Sequence, residues 1–164
     1  MRIAFNLSVF LAVLLTGCAS RTPRAENSLV VTVPRVERID VRSLNGNKTA
    51  INRLLCARAE SYATFIGSKH VWYGDGLSME PLIAPGSWLV TRTCPFDELQ
   101  PGMVVLYTTT SGRSVAHALV RRTGRGWIAA GVNNTALDRE LVTPSNLAGV
   151  IAAVFTPLPA AHLP

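Results

Sequence analysis

Hydrophobic residues change their spacing several times along this chain, and each spacing predicts a different element. Behind Met1-Arg2, the run Ile3 to Leu15 is almost wholly apolar. It is short for a membrane-spanning helix and reads as a secretory signal peptide, residues 1–17. Residues 18–28 turn polar and carry Pro23, the composition of a tether. From Leu29 to Leu44 the residues Val30, Val31, Val33, Val36, Ile39 and Val41 predict one or two strands, interrupted at Pro34. Asn45-Gly46-Asn47 offers a turn and a helix N-cap. Beyond it Ile51, Leu54, Leu55, Arg58, Ala59, Tyr62, Ala63 and Ile66 recur at helical spacing. Residues 48–66 are therefore expected to form an amphipathic helix that is ended by Gly67 and packs on a β core.

After Gly67 the rhythm shortens. Strands are predicted near 69–74, 87–93, 103–109, 114–122, 126–130 and 148–155. Turns fall at Pro85-Gly86, Pro101-Gly102, Ser111-Gly112 and Gly124-Arg125-Gly126. Short strands at this spacing predict a compact antiparallel β domain. The fold class is mainly β (α+β), with one N-terminal amphipathic helix. Residues 29–72 supply strands and helix packed on the core, 73–156 the main domain, and 157–164 a loose or draped tail.

A length of 164 residues suffices for one domain with a real core. The formal net charge is +6, carried almost entirely by arginine; Lys48 and Lys69 are the only lysines. An export signal and the lack of helix-turn-helix or zinc-ligand spacing speak against a nucleic-acid partner. The charge suits anionic lipid or envelope surfaces, or equally a plain solvated basic face. Leu15-Thr16-Gly17-Cys18 resembles the lipobox of bacterial lipoproteins, in which the chain is cut before the cysteine and its sulfur takes a diacylglyceryl group. That resemblance implies attachment to a membrane through a lipid on Cys18 without spanning it. With Ser20 rather than Asp behind the cysteine, it leans toward the periplasm-facing outer membrane of a Gram-negative envelope. An uncleaved signal anchor with Cys18 as a plain thiol is the alternative. Cys56 and Cys94 either pair, closing a long loop worth on the order of 3–4 kcal/mol, or stay as separate buried thiols.

The chemistry centres on residues 73–90. Ser78 follows Gly76 by two positions and precedes Met79, Glu80 and Pro81; Pro85-Gly86 and Trp88-Leu89-Val90 come next. Glycine permits the tight turn that pushes a hydroxyl outward, and Pro81 keeps the segment out of a central strand. Ser78 thus sits where a nucleophile can meet a substrate. A serine needs a base, and no lysine follows Lys69. Of the three histidines, His70 precedes the serine, His162 lies in the tail, and His117 shares a strand face with Val115 and Leu119. A neutral imidazole suits a general base. Taken singly, a strand histidine is more often a core residue, and Asp138 is more often a solvated turn residue.

The order of these elements resembles the signal peptidase I superfamily of serine peptidases. The closest resemblance is to the endoplasmic-reticulum and archaeal branch, where histidine replaces lysine. Ser78-Met79-Glu80-Pro81 matches the nucleophile box; Ala116-His117-Ala118-Leu119-Val120 the histidine strand; Gly131-Val132-Asn133-Asn134 the Gly-Asp-Asn-Asn box; and Asp138-Arg139 the Asp-Arg pair. The resemblance covers residues 73–155. It implies Ser78 as nucleophile, His117 as base, Asp138 as supporting acid, and Met79 and Pro81 beside the substrate. The chain departs from the pattern at Ala118, Val132, Ser87 and Met103, and at Gly76, where a small hydroxyl residue often stands. The backbone N–H of Ser78 would then carry more of the oxyanion stabilisation.

The resemblance implies a lipid-anchored serine endopeptidase that cleaves exported polypeptides after small residues, with no metal and no cofactor. The alternative is a degenerate envelope lipoprotein that keeps the fold to bind a peptide or protein, for instance by strand addition. An autoprotease like the SOS-response repressors needs a lysine after the serine. Metal catalysis would need ligand spacing such as His-Glu-x-x-His.

Overall fold

The computed structural model describes residues 30–158. The signal-peptide segment, Cys18, most of the tether-to-strand approach and His162 lie outside the described residues. Within them the chain forms β1 (Arg35–Ile39), α1 (Lys48–Phe65), β2 (Val71–Gly74), β3 (Ser87–Arg92), β4 (Val104–Thr108), β5 (Ser114–Thr123), β6 (Gly126–Ala130) and β7 (Leu147–Pro157), with short 3-10 turns at Arg42–Leu44 and Phe96–Glu98. This is the mainly β fold with one helix that the patterning predicts.

The strands make one sheet in the order β2-β3-β7-β4-β5-β6. β7 organises it. β3 runs antiparallel along one edge of β7 from Val150 to Phe155. The other edge is shared: β4 takes Leu147 to Val150, and β1 takes Ala153 to Pro157. The β1 pairing is parallel, against the all-antiparallel expectation. The helix and the strands β2 to β6 separate β1 from β7 in sequence, so no hairpin turn dictates its direction. Pro34 does break the first β segment, leaving only Thr32 bridged to Met103 before β1. The expected tail also begins too early, because Pro157 pairs with Ile39 and the Leu158 N–H donates to the Ile39 carbonyl.

The helix starts where its cap predicts: the Asn47 side chain accepts from the Ala50 N–H at 3.1 Å. It ends at Gly67, whose φ of +71° suits glycine. Leu55, Ala59 and Ala63 are its buried residues. The two alanines bring the helix backbone close to Val90, Ala153 and Phe155. Alternation along β4 sends Val105 and Tyr107 to one cluster, with Cys94, Leu119 and Trp127, and sends Val104 and Leu106 to a second, with Met79, Ile83 and Ala118. Cys94 is buried in the first cluster, while Cys56 sits on α1 with its thiol 3.5 Å from Glu60. Both thiols are free, Cys94 packed within the first cluster and Cys56 half-buried on α1. The open question of their pairing resolves toward separate cysteines.

Candidate active site

Ser78 sits in the connection from β2 to β3, which the Gly86 N–H closes by donating to the Gly74 carbonyl at 2.8 Å. Two turn contacts tighten it, Glu80 N–H to Leu77 O and Ile83 N–H to Met79 O. Met79 and Ile83 plunge into the second cluster, while Leu77 is 60% exposed. Ser78 therefore stands at the boundary between a pinned apolar anchor and solvent. Met79 serves first as that anchor, although it also lines the cleft described below. Pro81, expected beside the substrate, is exposed and lies outside the cleft lining.

His117 lies in the middle of β5, opposite Val105 on β4, with Val115 and Leu119 on the same face. It is 6% exposed. Its Nε2 is 2.9 Å from Ser78 Oγ. Its Nδ1 is 2.7 Å from Asp138 Oδ2. A carboxylate only accepts, so Nδ1 carries the ring proton and Nε2 accepts from the Ser78 hydroxyl. Asp138 reaches this position because its N–H donates to the Ala129 carbonyl of β6, and Val142 ties the same loop back to Trp127. Three residues separated by 39 and 21 positions in sequence thus meet in one hydrogen-bonded line.

The sequence reading missed one member of this group. The Tyr107 hydroxyl donates to Asp138 Oδ2 at 2.8 Å, the same oxygen that His117 uses. Burial, followed by the hydrogen bond and charge of Asp138 and the charge of Glu140, pushes the Tyr107 phenol well above its ordinary value. Below that raised value it stays a neutral donor. A tyrosine on an alternating strand reads as core packing; only the cross-strand diagonal to His117 sets it apart.

The Gly131–Asn134 turn closes the far side. The Asn133 N–H donates to the Ser78 carbonyl at 2.8 Å, and the Asn133 amide donates to the Leu77 carbonyl at 3.1 Å. A Cβ on Gly131 would stand 2.5 Å from Ser78 O, so the turn can approach only as glycine. The departures from the resemblance also have physical reasons. Ala118 is fully buried between Val104 and Ala130, with no room for an arginine. Val132 faces solvent, so no buried group loses a partner there. Arg121 and Arg122 are exposed, and Arg122 lies over the Phe96 ring. His70 is exposed beside Trp72, away from Ser78.

A cleft of about 520 Å³ opens onto Ser78 and His117. Buried Met79, Ile83, Leu89 and Leu106 line it, together with polar Asn134. Among the described residues no three His, Cys, Asp or Glu side chains converge as metal ligands. No helix among them is long and apolar enough to cross a membrane. Compared with known proteins, the chain matches no family profile, and no curated protein matches it significantly.

Proposed function

We propose that this protein is a lipid-anchored, signal-peptidase-like serine endopeptidase acting on exported polypeptides. The observation that carries the reading is the continuous hydrogen-bonded line Ser78–His117–Asp138 at the mouth of a partly apolar cleft. Both distances fall within the reach a nucleophile and its base require. The ordered motifs between residues 73 and 155 support the same family reading.

Ser78 Oγ attacks the scissile carbonyl as His117 Nε2 takes its proton. The imidazolium is held by Asp138 and returns the proton to the leaving amine. Water, activated by the same imidazole, then releases the acyl group. The Ser78 N–H, without a hydrogen-bond partner among the described residues, contributes to the oxyanion site. The cleft's apolar lining favours small apolar side chains before the cut. The departures at Ala118 and Val132 leave the three hydrogen-bonded residues untouched, and this favours an active enzyme over a degenerate binder.

The purified protein is expected to react with a fluorophosphonate at Ser78, located by peptide mass mapping, and to cleave a fluorogenic peptide carrying Ala before the cut. Ser78→Ala should lose both. A wild type that neither labels nor cleaves would leave the peptide-binding reading in its place.

A further inference from the structure

We infer that Asn134 is a catalytic residue, the side-chain donor of the oxyanion site. The inference rests on the serine-peptidase reading and deepens it. An oxyanion site of this kind works best with two donors, and one is the Ser78 backbone N–H. The position that could hold a second is Gly76. A Cβ built there lies 4.0 Å from Ser78 Oγ with nothing closer, so a hydroxyl residue would fit, but glycine has no donor to offer.

Asn134 approaches the same atoms from the opposite loop. The space above Gly131 is bounded by Ser78 Cβ at 2.8 Å and by Asn134 Nδ2 at 2.8 Å. The amide nitrogen is therefore at most two such steps, about 5.6 Å, from Ser78 Cβ. In the tetrahedral intermediate the oxyanion is three bonds from that Cβ, and a donor belongs 2.7–3.1 Å from it. Asn134 is within that reach, and it lines the cleft together with Ser78 and His117. Its neighbour Asn133 commits its amide to the Leu77 carbonyl. The Asn134 amide makes no hydrogen bond among the described residues, while its backbone N–H is fixed on the Gly131 carbonyl at 3.0 Å. The backbone is thus held and the side-chain donor is unspent.

When the Ser78 Oγ–carbon bond forms, the carbonyl π pair moves onto oxygen and the hydroxyl proton moves to His117 Nε2. Asn134 Nδ2–H donates to that oxygen as its charge develops. The interaction is made in the transition state rather than in the ground state, so its loss lowers kcat more than it raises KM.

The test uses the fluorophosphonate and the fluorogenic Ala peptide on the full chain. Asn134 is exposed, so Asn134→Ala should melt like the wild type. It should lose about 10²–10³ in labelling rate and kcat, with KM little changed. Gly76→Ser in the Asn134→Ala background should restore at least about tenfold by placing a hydroxyl donor near the same oxygen. A wild type that labels at Ser78 while Asn134→Ala labels equally fast would overturn the inference and leave the peptidase reading standing. A loss that Gly76→Ser does not restore would reduce Asn134 to a loop residue and overturn it too. A wild type that neither labels nor cleaves would remove the reading on which the inference depends.

Discussion

At the scale of single residues the site is a matter of who donates to whom. Asp138 Oδ2 receives two protons' worth of hydrogen bonding, from His117 Nδ1–H and from Tyr107 O–H. The imidazole can rotate about its own bonds, and the carboxylate about its own; Tyr107, 2% exposed on β4, is the rigid member that fixes both. Tyr107→Phe keeps the ring and removes only the donor. It is expected to cost about 10- to 100-fold in kcat, the equivalent of roughly 1.5–3 kcal/mol for a hydrogen bond to a charged group. The same variant has a pH signature. The folded-state phenol titrates above its unfolded value, so its contribution is fully present below about pH 10 and is lost as pH rises through the raised value. Urea midpoints followed from pH 8 to pH 11 should fall more steeply for the wild type than for Tyr107→Phe. Parallel curves would show that the phenol is not the group responsible.

At the scale of elements, two loops meet head-on: the β2–β3 connection carrying Ser78, and the Gly131–Asn134 turn that follows β6. Their contact is backbone against backbone, through Asn133 N–H and Ser78 O, and it needs the bare Cα of Gly131. Gly131→Ala puts a methyl 2.5 Å from Ser78 O and 2.8 Å from Ser78 Cβ. Something must move, and a displacement near 1 Å at a reacting serine can cost on the order of 10²-fold. Fluorophosphonate labelling of Gly131→Ala should slow by that order while circular dichroism stays native; undiminished labelling would show that the loops have slack. Much of this arrangement was legible in the sequence. Alternation and turn residues marked β2 to β7 to within a few residues, because one face of each strand meets a core. Val115, His117 and Leu119 fell on one face as the period of two requires. What was not legible is whatever depends on which strands become neighbours. The parallel seating of β1 on β7 has no periodic signature. Tyr107 became visible only once β4 was seen beside β5, and Asn134 only once its turn was seen beside Ser78.

At the scale of the whole molecule, every residue given a part in the proposed chemistry lies on the described sheet or its loops. The contacts that hold Ser78, His117, Asp138, Tyr107 and Asn134 join described residues of β4, β5 and β6 and of the loops after β2 and β6. In the proposed reading Cys18 acts apart from the chemistry and fixes where the enzyme works. Eleven residues, 18–28, extend at most about 35–40 Å, so a lipid on Cys18 would hold the cleft close to the bilayer. A single acyl chain binds a membrane only marginally, whereas a diacylglyceryl group would bind anionic bilayers firmly when assisted by the formal charge of +5 that remains once residues 1–17, with Arg2, are cut away. Anchor and catalysis should therefore separate cleanly by mutation. Cys18→Ser is expected to move the protein out of the membrane fraction, and to slow the cleavage of a membrane-tethered polypeptide by lowering local concentration, while hydrolysis of a soluble Ala peptide stays at the wild-type rate. If Cys18→Ser remained with the membranes through high-salt washing, the lipid would not be the anchor. If instead it lost activity on the soluble peptide as well, the N-terminal residues would be part of the site, and the sheet alone would not suffice.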